Sequence, residues 1–208
     1  MMSKPRKMLI ATGNAHKISE FRQMLGEDRF DWTDLSNASE INPPEETGAT
    51  FRANACLKAS YYAKQLHTWA MADDSGLEVD AISGKPGVHS ARWAQMHDKG
   101  TQHGKRDQDN NRLLLEQLKD TADENRTARF VCVLALSDPD GRIILTARES
   151  MEGSVLREER GKNGFGYDPL FLIESLRKTT AELSSEEKHA ISHRGKAMRV
   201  MKQLLKEV

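Results

Sequence analysis

The chain has 208 residues, 38% hydrophobic and 30% charged, with 31 basic residues against 31 acidic ones and a formal net charge of zero. That length suits one domain with a continuous core, residues 1–208 taken together, and leaves little room for a second. Zero net charge argues against a protein that coats nucleic acid through its field, and no apolar run approaches the roughly 20 residues a membrane-spanning helix needs.

Residues 1–7 read as a flexible basic extension, and the apolar run behind them is too short for a signal-peptide core, so the expectation is a cytoplasmic protein. Residues 8–11 then form a short apolar strand ending at Thr12-Gly13-Asn14, after which Ile18, Phe21, Met24 and Leu25 recur at helical spacing. Thr50 is placed to cap a helix over 51–66 whose apolar positions include Leu57 and Tyr61. Residues 69–72 read as a buried strand that ends on Asp73-Asp74-Ser75-Gly76, with the glycine making a turn.

The stretch 97–109 is polar and without period, which predicts a mobile loop with His97 and His103 in solvent, ahead of a helix carrying Leu113, Leu114 and Leu118. Residues 130–136 and 142–146 flank Asp138-Pro139-Asp140-Gly141 and predict an antiparallel hairpin. Ser184 and Glu187 have the spacing of a capping box before a short helix. The final helix draws its apolar face from Ala197, Met198, Met201, Leu204 and Leu205, with Lys202 and Lys206 near its C-terminus as the helix dipole favours. Cys56 and Cys132 lack any CxxC or Cys/His ligand spacing and read as buried thiols. Helices alternating with strands, plus one hairpin, predict a three-layer α/β fold around a mixed β-sheet.

Four segments carry groups with chemical potential. In Thr12-Gly13-Asn14-Ala15-His16-Lys17 a strand-to-helix turn aims backbone N–H groups outward and adds a lysine, which suits an anion such as phosphate; Asn14 as a plain helix cap accounts for the same pattern. In Asp73-Asp74-Ser75-Gly76 two carboxylates stand at a strand end, and side-chain alternation lets one enter a site directly; Asp74 is chosen as the one nearer the turn. Glu45 and Glu46 form a second acidic pair: with one acid of the first pair they suit magnesium, which takes one or two carboxylates plus water and phosphate oxygens, and they equally suit the N-terminus of the next helix.

The fourth segment runs through Gly164-Phe165-Gly166-Tyr167-Asp168-Pro169 to Lys188 and Ser192-His193-Arg194. Glycines around Phe165 describe a loop that displays aromatic faces, and a ring on such a loop stacks a flat base for roughly 1–3 kcal/mol. Asp168 has the chemistry to accept from ring N–H groups, and Lys188, His193 and Arg194 have the chemistry to donate to keto oxygens.

Taken in order, Thr12-Gly13-Asn14-x-x-Lys17, Glu45-Glu46-Thr47-Gly48-x-Thr50-Phe51-x-x-Asn54-Ala55-x-x-Lys58-Ala59, Asp73-Asp74-Ser75-Gly76-Leu77, Pro86-Gly87-x-x-Ser90-Ala91-Arg92, Gly164-Phe165-Gly166-Tyr167-Asp168-Pro169 and Ser192-His193-Arg194 resemble the inosine/xanthosine triphosphate pyrophosphatase family over nearly the whole chain. The resemblance implies an elongated two-lobed fold with its active site in a cleft between the lobes, a homodimer, and Mg2+-dependent hydrolysis of ITP, dITP or XTP to the monophosphate and pyrophosphate. It implies further that Thr12, Asn14, Lys17, Lys58 and Ser75, with the turn residues Gly13, Ala15 and His16, hold the triphosphate. Glu45 and Asp74 then hold the metal, and Asp74 activates the water. Phe165, Gly166, Tyr167, Asp168, Lys188, His193 and Arg194 line the base pocket.

Departures from the family pattern are His89 in place of a tyrosine, Ala94-Gln95 in place of an alanine-glycine pair, and the polar stretch 97–105; all bear on loops and dimer contacts rather than on the chemistry. A pyrophosphatase for modified pyrimidine or methylated nucleotides is the nearest rival, and the segment from Phe165 to Asp168 with His193-Arg194 speaks against it. A silent nucleotide sensor is disfavoured by intact Lys17, Glu45 and Asp74, and a nucleic-acid-binding module by the lack of a basic aromatic stripe.

Overall fold

The apolar run at residues 8–11 becomes the buried end of β1 (Arg6–Ile10), and Asn14 starts α1 (Ala15–Leu25) by accepting from the backbone N–H groups of His16 at 2.9 Å and Lys17 at 3.3 Å. These come from a computed structural model, which describes residues 6–25, 30–38, 40–97 and 106–207. Residues 1–5 of the expected extension and residues 98–105 of the expected loop, His103 among them, lie outside the described residues; Arg6 and Lys7 belong to β1 instead of the extension, and residues 106–109 are helical instead of part of the loop. His97 is described, and it is exposed as expected.

The remaining elements follow in order: β2 (Phe30–Asp34), α2 (Phe51–Leu66), β3 (Trp69–Val79), β4 (Lys85–Pro86), α3 (Trp93–Met96), α4 (Arg106–Gln117), β5 (Thr127–Ser137), β6 (Ile143–Val155), β7 (Phe171–Ile173), β8 (Lys178–Thr179), α5 (Ser185–Ile191) and α6 (His193–Leu204). Among the described residues the strands lie in the order β2-β1-β3-β5-β6-β7-β8, with β4 paired to β3. β1 runs parallel to β2 and β3, whereas β4, β7 and β8 pair antiparallel with their neighbours, so the sheet is mixed as predicted. The hairpin between β5 and β6 closes where Asp138 N–H donates to the Arg142 carbonyl at 3.0 Å.

The chain divides into two compact units. The first comprises residues 1–74, 132–149 and 194–208. Its core collects Met8, Ile10, Met71, Cys132, Leu134 and Leu136 from the strands against Phe21 and Leu25 of α1 and Ala197, Met198, Met201 and Leu205 of α6. Alternate strand residues point to opposite faces. Accordingly Asp73 meets side chains of α1 and α6 while Asp74 meets side chains of α2, which places a helical layer on each face of this unit's sheet. Lys202 of α6 donates to the carbonyls of Met24 and Leu25, so its charge serves the C-terminus of α1 rather than that of its own helix.

The second unit comprises residues 75–131 and 150–193. Leu77, Val79, Leu114, Leu118, Phe130, Met151, Tyr167, Leu170 and Phe171 are among the residues that form its core. Arg126 is buried there, its guanidinium donating to the carbonyls of Leu118, Val155 and Leu156.

Several expectations are corrected. There is no turn at Gly76: β3 continues through it to Val79. A β-carbon at Gly76 would lie 2.3 Å from Ser90 Oγ and 2.6 Å from the Gly87 carbonyl, so the glycine serves a close approach of backbone within the strand. In α2 the buried positions are Phe51, Asn54, Ala55, Ala59, Tyr62 and Ala63, with Leu57 and Tyr61 only half-buried, because the alanines let the helix backbone lie close. Leu204 is half-buried as well, with Leu205 taking the buried place. Cys132 is buried, and its thiol is pushed up to about 12 by that burial, while Cys56 is only half-buried. The capping boxes at Thr179–Glu182 and Ser184–Glu187 both form, the second as the spacing predicts.

Candidate functional site

The first unit gathers an ionic set at the start of α1, the start of α2 and the middle of β3. Lys17, in the first turn of α1, reaches Asp73 with its ammonium at 2.8 Å from Oδ2. Lys58, two turns into α2, holds Glu46 Oε1 at 2.7 Å and Asp74 Oδ1 at 2.9 Å. Asn54, one helical turn before Lys58, donates to Asp74 Oδ2 at 3.3 Å and accepts from the Gly48 N–H at 2.8 Å. This wholly buried amide ties the loop carrying Glu45 and Glu46 to the Asp74 carboxylate.

The two neighbouring aspartates live in different fields. Burial works against the ionisation of Asp73, but Lys17, Arg194 and Lys58 outweigh it and hold its carboxyl well below the usual carboxylate range. Burial of Asp74 prevails over the opposing pull of Lys58 and Lys17, and its carboxyl is raised. Burial likewise works against the charge on Lys58, yet Asp74, Asp73 and Glu46 together raise it and keep the ammonium charged. Asp74 therefore retains the chemistry of a carboxylate that gains from a further cation, whereas two cations already hold Asp73 ionised. Glu45 is exposed beside this set, and Thr12, Gly13, Ala15 and His16 stand with Asn14 at the open start of α1. Ser75 follows Asp74 in β3.

The second unit builds an aromatic loop. Gly164 has φ of 77°, a left-handed backbone that glycine adopts without strain, and a β-carbon there would lie 2.0 Å from Asp168 Oδ2. The room so left lets Asp168 accept from the Phe165 N–H at 2.8 Å, from the Thr180 hydroxyl at 2.9 Å and from Lys188 Nζ at 2.7 Å. Lys188 and Asp168 are a buried ion pair, with side chains 8% and 4% exposed, and the same ammonium lies 5.1 Å from the centroid of the half-buried Phe165 ring. His193 stacks on Phe130 with ring centroids 4.9 Å apart.

Two members of the expected base pocket stand elsewhere. Tyr167 is packed in the core of the second unit rather than displayed; its hydroxyl donates to the Ser90 carbonyl at 2.9 Å, and burial pushes its ionisation far upward. Arg194 is 3% exposed and belongs to the ionic set of the first unit, paired with Glu20 and 3.7 Å from Asp73 Oδ2. The partners Glu20 and Thr180 had no role in the sequence analysis, since they are distant in the chain from what they hold; Glu46 and Asp73 entered it only as the second members of acidic pairs, and Asn54 only as part of a motif. Asn54 does carry one local signal: it lies four residues before Lys58 on the same helical face.

A divalent cation fits the ionic set by the chemistry of its donors. Glu45 and Asp74 have hard carboxylate oxygens, the donor type magnesium takes, without thiolate or imidazole among them, and burial raises the carboxyl of Asp74. Among the described residues no cluster of three or more His, Cys, Asp and Glu side chains is formed for a metal.

A dITP/XTP pyrophosphatase of Exiguobacterium sibiricum is 49% identical over 199 residues, covering 96% of each chain, and one of Rhodopirellula baltica is 43% identical over 208 residues, covering 100% of this chain and 97% of the relative. Among solved structures, a HAM1 protein from Coxiella burnetii superposes with a TM-score of 0.86 at 38% identity, covering 98% of this chain and 100% of that one. The sequence model of the Ham1 family matches residues 8–204, and the chain belongs to that family.

Proposed function

We propose that this chain is a nucleoside triphosphate pyrophosphatase that converts the non-standard purine nucleotides ITP, dITP and XTP to the monophosphate and pyrophosphate with Mg2+. Its similarity to dITP/XTP pyrophosphatases supports the activity. The observation that carries the assignment of roles is the contrast at residues 73 and 74: one carboxylate paired with Lys17 and Arg194 and depressed, the next held by Lys58 and Asn54 and raised by burial.

The start of α1 receives phosphate oxygens through the backbone N–H groups around Gly13, Ala15 and His16, with Thr12 and Asn14 beside them and Ser75 contributing its hydroxyl. Lys17 and Lys58 supply the positive charge that keeps the β and γ phosphates together as one leaving unit. Glu45 and Asp74 hold Mg2+, which when bound neutralises charge on the phosphates. Asp74 accepts the proton of the attacking water at its carboxylate, and Asn54 keeps that carboxylate turned toward α2. Phe165 stacks on the base, and Gly166, Tyr167 and Asp168 hold the ring in place. Lys188 and His193 donate to keto oxygens, which adenine lacks at purine position six. The contacts of Arg194 with Glu20 and Asp73 support a role in holding Asp73, the partner of Lys17, rather than a direct hold on the base.

The chain is proposed to act as a cytoplasmic homodimer with no nucleic-acid or membrane partner; no helix of the described residues is long and apolar enough to cross a membrane. A panel of inosine, deoxyinosine, xanthosine, guanosine and adenosine triphosphates, scored for monophosphate and pyrophosphate with Mg2+ present, tests the activity. Inosine diphosphate as the initial product refutes the phosphate assignment, and equal turnover of ATP and ITP refutes the base assignment.

A further inference from the structure

The first turns of α4 read Arg106-Asp107-Gln108-Asp109-Asn110-Asn111, a polar run in which Asp109, Asn110 and Asn111 are only 2%, 2% and 3% exposed. Burying polar side chains in succession is costly unless hydrogen bonds hold them. Here the bonds of two residues on one side of the helix, Asp107 and Asn111, converge on Gly166. Asp107 Oδ2 accepts from the Gly166 N–H at 2.8 Å, and Asn111 Nδ2 donates to the Gly166 carbonyl at 3.2 Å and to Glu159 Oε1 at 2.8 Å. Asn110 donates to the carbonyls of Ser90 and Ala91, and Ser90 is also the acceptor for the Tyr167 hydroxyl. Residues 107, 110 and 111 lie on one face of the helix by their spacing.

Gly166 is thus gripped at both of its backbone polar groups, between Phe165 and Tyr167, at φ of 62°. The Phe165 N–H itself is bonded to Asp168. We infer that the polar face of α4 sets the direction of the Phe165 ring, which makes Asp107 and Asn111 positioning residues for recognition of the purine base. The inference rests on the reading that the Phe165 loop takes the base. A ring fixed before the ligand arrives binds more tightly because less freedom is lost on binding.

The test uses the full chain and calorimetric binding of three probes: inosine monophosphate, ribose 5-phosphate and inorganic tripolyphosphate. Asp107 is exposed, so Asp107→Ala leaves the core untouched; Asn111→Ala removes the second grip, and thermal unfolding of both variants is followed in parallel. Each variant is expected to weaken inosine monophosphate roughly fivefold, the loss of one hydrogen bond of ordinary strength, while tripolyphosphate binds as before. Asp107→Asn, which keeps an acceptor oxygen, is expected to restore most of the affinity. Unchanged binding of inosine monophosphate, or an equal loss for tripolyphosphate, overturns the inference. If the parent chain binds inosine monophosphate no better than ribose 5-phosphate, the base-loop reading beneath it falls as well.

Discussion

The ionic set around Asp73 and Asp74 and the aromatic loop around Phe165 bury polar groups in opposite ways. In the first, lysines and carboxylates alternate so that Lys17, Asp73, Arg194 and Glu20 form one chain of contacts and Glu46, Lys58 and Asp74 another. In the second, one ion pair, Lys188 with Asp168, is joined by bonds from uncharged donors, backbone N–H groups, a hydroxyl and an amide, that fix the loop's shape. The difference teaches what each region can tolerate. A charge set loses function when a charge is removed even if the shape is kept, whereas a shaped loop loses function when its geometry is released.

The largest effect expected from this contrast is Asp74→Asn, which keeps the shape and removes the charge. Turnover should fall by about three orders of magnitude, the scale of losing a general base, while nucleotide binding stays measurable. Activity within a few-fold of the parent chain would erase the distinction between the two regions.

Next comes Asp168→Ala, which strands the Lys188 ammonium in a site only 8% exposed and frees the Phe165 N–H. Removing one partner of a buried pair costs about 3–5 kcal/mol, so urea unfolding should shift to markedly lower denaturant. A loss below about 1 kcal/mol would show that Lys188 escapes to water and that the pair does not hold the loop.

The smallest effect is also the sharpest, because His193 and Arg194 are adjacent residues that fall in different units. With Arg194 paired to Glu20 and close to Asp73, Arg194→Ala should lower catalytic efficiency on ITP and ATP by a similar factor, about tenfold, leaving their ratio in place. A ratio that narrows instead would assign Arg194 to the base, as the family resemblance implies.

Much of the local structure was legible because it depends on neighbours in the chain. The cap at Thr50, the capping box at Ser184 and Glu187, the hairpin after Leu136 and the apolar face of α6 each need only a few consecutive residues to be recognised. The mistaken turn at Gly76 shows the limit. A glycine after two aspartates reads as a turn locally, and only the approach of Ser90, fourteen residues on, explains why it continues a strand.

By itself, then, the sequence determined the α/β class, the family and the residue types available for a metal, phosphate and a base, since composition, periodicity and ordered motifs are properties of the chain. Only the tertiary structure decided which charges those residues share. Asp73 and Asp74 are adjacent in sequence, but strand alternation turns them toward different helices and different balances of burial and charge, and one carboxyl is depressed while the other is raised. The same holds for Tyr167 and Arg194, whose side chains would suit a base pocket by chemistry and are committed elsewhere by packing and pairing across distant parts of the chain.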